Sequence, residues 1–343
     1  MAFLWMDSFD HYTGTVSDIV KKYAAASGAT IRTTEGRRSS GAMEVGFGQS
    51  FTTKTFTPGD ATAIVGFAYR CQGSLPSGVN PICAIRSGST SQVTLAINAS
   101  GVPEVYRGTT SGTLLGTASS GIAVSTYIFI EIKVAVHASA GTVTVRLNGA
   151  NVLVLTGQNT SNSGSAAWDN VQLLENAFGP SNTYFDDLYI LDGSGASPLN
   201  GLLGDCRVDA RYATAEGASS AWTPLSGTDN ALMVDETPPD DDATYNSTPT
   251  VGATDTFVVQ DAPVPGAVLH AVQLVLSQKK SDTGTCAIAP VVRHSGVDYP
   301  GTAVNVGTSY VFGVTPYGLN PGTSAAWTEA DVNAAEFGYT RTA

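Results

Sequence analysis

The chain has 343 residues, room for about two domains, and 13% of them are charged where ordinary soluble domains carry roughly 25%. Its 42% apolar content excludes disorder driven by charge, and a net charge of −12 makes a phosphate backbone a poor partner, so nucleic acid is not expected as a ligand. No apolar run approaches the ~18 residues of a membrane helix, and the opening MAFLWMDSFDHY lacks the basic stretch and long apolar core of a signal peptide.

Taken in order, residues 1–12 read as an opening strand with bulky Phe3, Trp5 and Phe9. A short helix is expected over SDIVKKYAAASG, with Ser17 as N-cap, Gly28 past its end, and Ile19, Val20 and Tyr23 on one face. From Thr30 to Leu174 the texture is that of strands. The clearest is Ile128–Val136, where Ile128, Ile130, Ile132, Val134 and Val136 share one face, with Phe129, Glu131, Lys133 and Ala135 on the other. Asn148-Gly149 between two alternating runs predicts a tight hairpin, since both residues tolerate positive φ. Tyr184–Leu191 reads as a strand, and the Gly/Ser/Pro break after it closes one β-domain. This places a first domain at 1–200 and a second at 205–343, with an acidic, Pro-rich connection at 223–250. In the second domain, strands are expected at Asp255–Gln260, Val268–Ser277, Cys286–Arg293 and Thr308–Val314. Thr328-x-x-Asp331 predicts a capped helical turn before a last strand. Cys71, Cys83, Cys206 and Cys286 have no metal-site spacing and read as thiols filling core space.

The Leu-Asn-Gly hairpin and the strand ending Phe-Asp-Asp-Leu-Tyr resemble pieces of a concanavalin A-like (laminin G-like) jelly roll. The resemblance implies an all-β chain: a jelly-roll sandwich, then a smaller β-sandwich, with one or two short helices. Some members of that fold bind Ca²⁺, which draws attention to Asp186 and Asp187, with Asp7 and Asp10 as further oxygens, although no calcium loop frames them. Other members are glycosidases, which need two carboxylates on one side of a cleft. Asp186 and Asp187 are neighbours and should diverge, and Glu131 has Lys133 beside it on its face. There is no Gly-x-Ser-x-Gly, no phosphate loop, and His11, His137, His270 and His294 stand apart from local acids. From this the chain is expected to have no catalytic residues, no cofactor and no enzymatic activity. Candidate sugar contacts are Tyr106 with Arg107, and Tyr184 with Asn182.

The opening FLWMDSFDHY, GLLGDCRVDA, Gly252–Phe257, Lys279–Gly284, Asn320–Thr323 and Ala326–Gly338 resemble virion proteins of tailed bacteriophages. That resemblance implies a structural component made in the host cytoplasm and carried in the virion. It would sit on the tail, as fibre or baseplate, and use a lectin-like domain for the host surface. Capsid decoration or head fibre is one alternative, and a glycan-active hydrolase of the concanavalin A-like fold is the other. Its partners would be other virion proteins, copies of itself (a trimer among the options) and host surface glycans.

Overall fold

The computed structural model describes residues 3–175 and 182–343. The chain is almost entirely antiparallel β-structure and divides into two compact units, Met1–Val208 and Asp209–Ala343.

The first unit is a jelly roll of two sheets. One runs, in spatial order, through Ala150–Gln158, Gly141–Leu147, Ile128–Ala135, Thr62–Cys71, Thr183–Asp192, Ala42–Val45 and Thr30–Arg32, with Phe3–Asp7 joining Thr183–Asp192 as the eighth strand. The other has seven: Thr113–Thr117, Pro103–Arg107, Thr90–Ile97, Asn80–Ser87, Asn170–Glu175, Gln49–Thr52 and Ala25–Ser27. Alternation decides what lies between them. Ile130, Ile132, Val134 and Val136 are buried as expected, and Phe185 packs edge-on to Phe51 and Tyr69, tying the sheets together. Ile128, at the strand's start, is only half-buried. Asn148 and Gly149 take φ of 47° and 81° between Gly141–Leu147 and Ala150–Gln158, the expected hairpin.

The helix differs from its sequence reading. It spans Val16–Lys22 with Thr15 at the N-cap, and the chain turns extended at Tyr23 because Ala25–Ser27 pairs with Gln49–Thr52. Ile19 and Tyr23 are buried, whereas Val20 is exposed.

In the second unit a six-stranded sheet orders Ala213–Ser220, Thr254–Val259, Glu336–Arg341, Ala287–His294 and Val297–Pro300, with Val304–Asn305 also pairing Ala287–His294. The paired strands Val272–Gln278 and Val311–Tyr317 cover it. Val272, Leu274 and Tyr317 pack on Val292, Trp327 and Phe337 to make the second sandwich. Val268, expected in a strand, lies in the preceding loop and is 79% exposed, because the pairing with Tyr317 begins only at Val272. Thr328 and Asp331 form both halves of the capping box on Glu329–Ala334. Residues 223–250 contain the short pair Thr223–Pro224 with Asn246–Ser247, and buried Asn230 bonds Asp255 there.

Candidate functional site

Each sheet of the first unit has a face turned away from the shared core, and the two are finished differently. On the seven-stranded sheet, Phe51, Leu173, Cys83, Leu95 and Val105 form the inward row. The outward row, read through the same register, is Thr52, Gln172, Ala84, Thr94, Tyr106 and Leu114. Six strands at ~4.8 Å spacing make this row about 24 Å long. Beside it run Ser50 with Leu174, and Ala96 with Glu104. Ala84, Thr94 and Ala96 form a low buried floor, while Gln172, Arg86 and Glu104 stand half-buried around it. Tyr106 donates its hydroxyl to Glu104 Oε2 at 2.5 Å, and Asn98 Nδ2 donates to the other carboxylate oxygen at 2.9 Å. Burial and this bond push the Tyr106 hydroxyl up to about 12, so it stays protonated. At one end Gln92 pins the loop around Asn162–Ala167 with five hydrogen bonds. Arg86 Nε and Asn170 Oδ1, on paired residues, are buried without hydrogen-bond partners among the described residues.

The outward face of the eight-stranded sheet is covered at its centre. Tyr189, Gly66 and Glu131 stand side by side across three strands. A side chain at Gly66 would run into the Tyr189 ring; its absence lets that ring lie across the sheet. Tyr189 thereby donates to Glu131 Oε1 at 2.6 Å, and Gly204 N–H donates to the same oxygen at 2.8 Å. The segment Leu199–Val208 forms the cover: Leu203 N–H reaches the Tyr189 hydroxyl, and the Asn200 carbonyl accepts from Lys133. Glu131 is fully buried, and its Oε2 has no hydrogen-bond partner among the described residues.

One step along this face, the strand bulges between Asp186 and Tyr189, and Asp187 takes φ of 50°. Asp187 Oδ2 accepts from Arg38 at 2.7 Å and Arg37 at 3.3 Å, and its Oδ1 accepts from Val208 N–H at 2.8 Å. Asp186 accepts from the Arg37 and Asp187 N–H groups, both at 2.7 Å. Burial, then the Asp187 charge, push the Asp186 carboxyl up to about 8. Neither carboxylate is solvated: Asp187 is paired with two arginines, and Asp186 is held by backbone N–H groups.

These placements correct the calcium reading. Arginines meet Asp187, Lys22 meets Asp7 at 3.0 Å, and Asp10 accepts from Gly41 N–H at 2.7 Å. The described residues contain no cluster of three or more metal-ligating groups. Of the proposed sugar pairs, Tyr106 and Arg107 separate, whereas Tyr184 keeps a side-chain hydrogen bond with Asn182. Tyr106 faces outward, but Arg107 alternates to the other side and bonds Thr113. Tyr184 is buried under Arg70, whose guanidinium lies 4.4 Å from its ring and 4.9 Å from that of Tyr127; Asn182 sits by Gly46. Of the four, Tyr106 alone lies on the outward row of the seven-stranded sheet, itself largely buried at 8% exposure. Of its companions there, Glu104 stands two residues before it on the same strand, and Gln172 and Arg86 come from other strands by cross-strand register.

The isolation of the histidines from local acids fails at His11, whose Nδ1 lies 3.9 Å from Asp7 Oδ1, and His294 finds its acid far along the chain. In the second unit His294 Nε2 lies 3.2 Å from Asp331 Oδ1 and its Nδ1 3.3 Å from Ser295 Oγ, joining a hairpin turn to the capped helix. The acid comes from 37 residues further along, beyond any local motif.

No protein-family model matches the chain, and no curated protein does. Among solved structures, alginate lyase Aly36B is similar at 14% identity over 54% of this chain and 95% of that one, with a TM-score of 0.37. Alginate lyase vAL-1 from Chlorella virus matches at 12% identity over 51% and 95%, with a TM-score of 0.39. The receptor binding domain of botulinum neurotoxin C/D mosaic serotype matches at 10% over 56% and 42%, with a TM-score of 0.32. No residue role passes across at such distances. The expectation of a chain without enzymatic activity is nonetheless corrected here, since it is lyases that head these matches, and it is dropped.

Proposed function

We propose that this is a glycan-engaging jelly-roll protein whose open sheet face binds a saccharide chain and acts on it. The observation that carries the reading is the outward row of the seven-stranded sheet. A long, low floor of Ala84, Thr94 and Ala96 is edged by an aromatic ring, an amide, a guanidinium and a carboxylate. Sugars present apolar ring faces and many hydroxyls, and this set of side chains answers both. Gln172 and Arg86 would bond hydroxyls. Glu104 is the proton acceptor of the face, and Tyr106 is the proton donor held beside it at 2.5 Å. The bacteriophage setting, on the tail or as a head decoration, rests on the sequence resemblance alone and is part of the proposal. Several copies on one particle would multiply weak single-site binding.

The test pairs binding with turnover. Purified protein is incubated with bacterial surface and algal polysaccharides, and both retention and new chain ends are measured. Gln172→Ala should weaken retention, whereas Glu104→Gln and Tyr106→Phe should abolish new ends and leave retention in place. Retention without turnover in the wild type would remove the acting half of the reading, and the absence of both would overturn it.

A further inference from the structure

Away from both outward faces, beside the Trp5, Tyr23 and Phe51 rings of the first unit, lies a lysine with 0% exposure. Lys22 is the last residue of its helix, a position from which a lysine ordinarily reaches water along its flexible stem. Here its Nζ turns inward, 3.0 Å from Oδ2 of Asp7, itself 1% exposed at the end of the first strand. The same Oδ2 accepts from the hydroxyls of Tyr12 at 2.6 Å and Tyr23 at 2.8 Å. Oδ1 accepts from Phe9 N–H at 2.9 Å, with His11 Nδ1 at 3.9 Å. The Trp5 ring centroid is 5.3 Å from Nζ, and Nζ also donates to the Met6 carbonyl at 3.2 Å. Asp18 and Lys21 pair with each other nearby. Burial lowers the Lys22 ammonium toward its neutral form. Burial alone would raise Asp7, but Lys22, His11 and the Tyr12 and Phe9 bonds outweigh it and hold the ion pair together.

We propose that Asp7 and Lys22 condense into an intramolecular amide, a covalent tie between the first strand and the helix. A proton passes from Nζ to Oδ2 along their contact, leaving an amine and a carboxylic acid. The Nζ lone pair attacks Cγ, forming the C–N bond, and Phe9 N–H holds the negative charge that develops on Oδ1. A tyrosine hydroxyl gives its proton to Oδ2 and recovers one from the nitrogen. The Cγ–Oδ2 bond breaks, and one water leaves. Nothing is oxidised or reduced and no co-reactant is consumed. The fold supplies the proximity that makes such a step effectively unimolecular, and the product ends the cost of keeping two charges out of water.

The experiment is the intact mass of the purified, folded, then denatured full chain, with removal of the first Met accounted for. The wild type should be lighter than its sequence by one water, and fragmentation should show a branched peptide joining Asp7 to Lys22. Asp7→Asn should lose one ammonia instead, and Lys22→Met should keep its full mass. A wild type at full sequence mass overturns the proposal, as does a water loss that fragmentation places in a cyclised aspartate of one linear peptide. The wild-type measurement decides alone if either variant fails to fold.

Discussion

The two outward faces of the jelly roll are built from the same alternation and end in opposite states. At the centre of the eight-stranded sheet the polar residues Glu131, Asp186, Asp187 and Tyr189 are each buried, bonded to arginines, to each other or to Leu199–Val208. On the seven-stranded sheet the polar residues stand over small ones, and among the described residues no segment like Leu199–Val208 donates backbone N–H groups to Gln172, Thr94 or Glu104. Charge by itself therefore does not mark an open surface. The richer carboxylate cluster is spent on closing the fold, and the face with one carboxylate keeps room for something else.

The sharpest way to break this comparison is at Gly66. Gly66→Ala should push the Tyr189 ring off the sheet and uncouple it from Glu131, costing about 1–3 kcal/mol by overpacking. Chemical denaturation that shows no change would mean the face is not closed by that contact. A second test uses pH. Folding raises the Asp186 carboxyl from an ordinary 3.8 to about 8, so the folded state keeps a proton that the unfolded chain gives up. Its contribution to stability is full below 3.8 and is lost as pH rises through about 8. Asp186→Asn should flatten the fall in Tm between those values, and an unchanged slope would assign the titration elsewhere. The smallest effect is expected on the open face. Gln172→Ala should change stability by no more than about 0.5 kcal/mol, as surface substitutions usually do, while weakening saccharide retention. A large loss of stability would make Gln172 a structural residue and the face a closed one.

Much of the fold was legible from period and turn chemistry. Ile130, Ile132 and Val134 alternate, Asn148-Gly149 must turn, and Thr328 with Asp331 must cap, because each signal is local. The helix end was misplaced because nothing near Ala25 announces that residues 25–27 pair with Gln49–Thr52. Sites fared less well for the same reason. Tyr106 could be picked out as an aromatic near a loop, but Gln172 joins it only through register. Glu104, two residues before it on the same strand, was legible by alternation and was passed over for Arg107, paired by adjacency, the relation that a strand sends to opposite sides. Glu131 was read only against its strand neighbour Lys133, because its cover comes from 73 residues later.

That cover has a consequence for how such a jelly roll travels between proteins. Its last strand ends at Asp192, but Leu203, Gly204 and Val208 still supply N–H groups to Tyr189, Glu131 and Asp187. A recombination event that joined new sequence directly after the strand would deliver a sandwich with an exposed carboxylate and two stranded tyrosine and aspartate acceptors. The heritable module is the sandwich together with Gly193–Val208, and a crossover that respects it must fall after the cover rather than after the sheet.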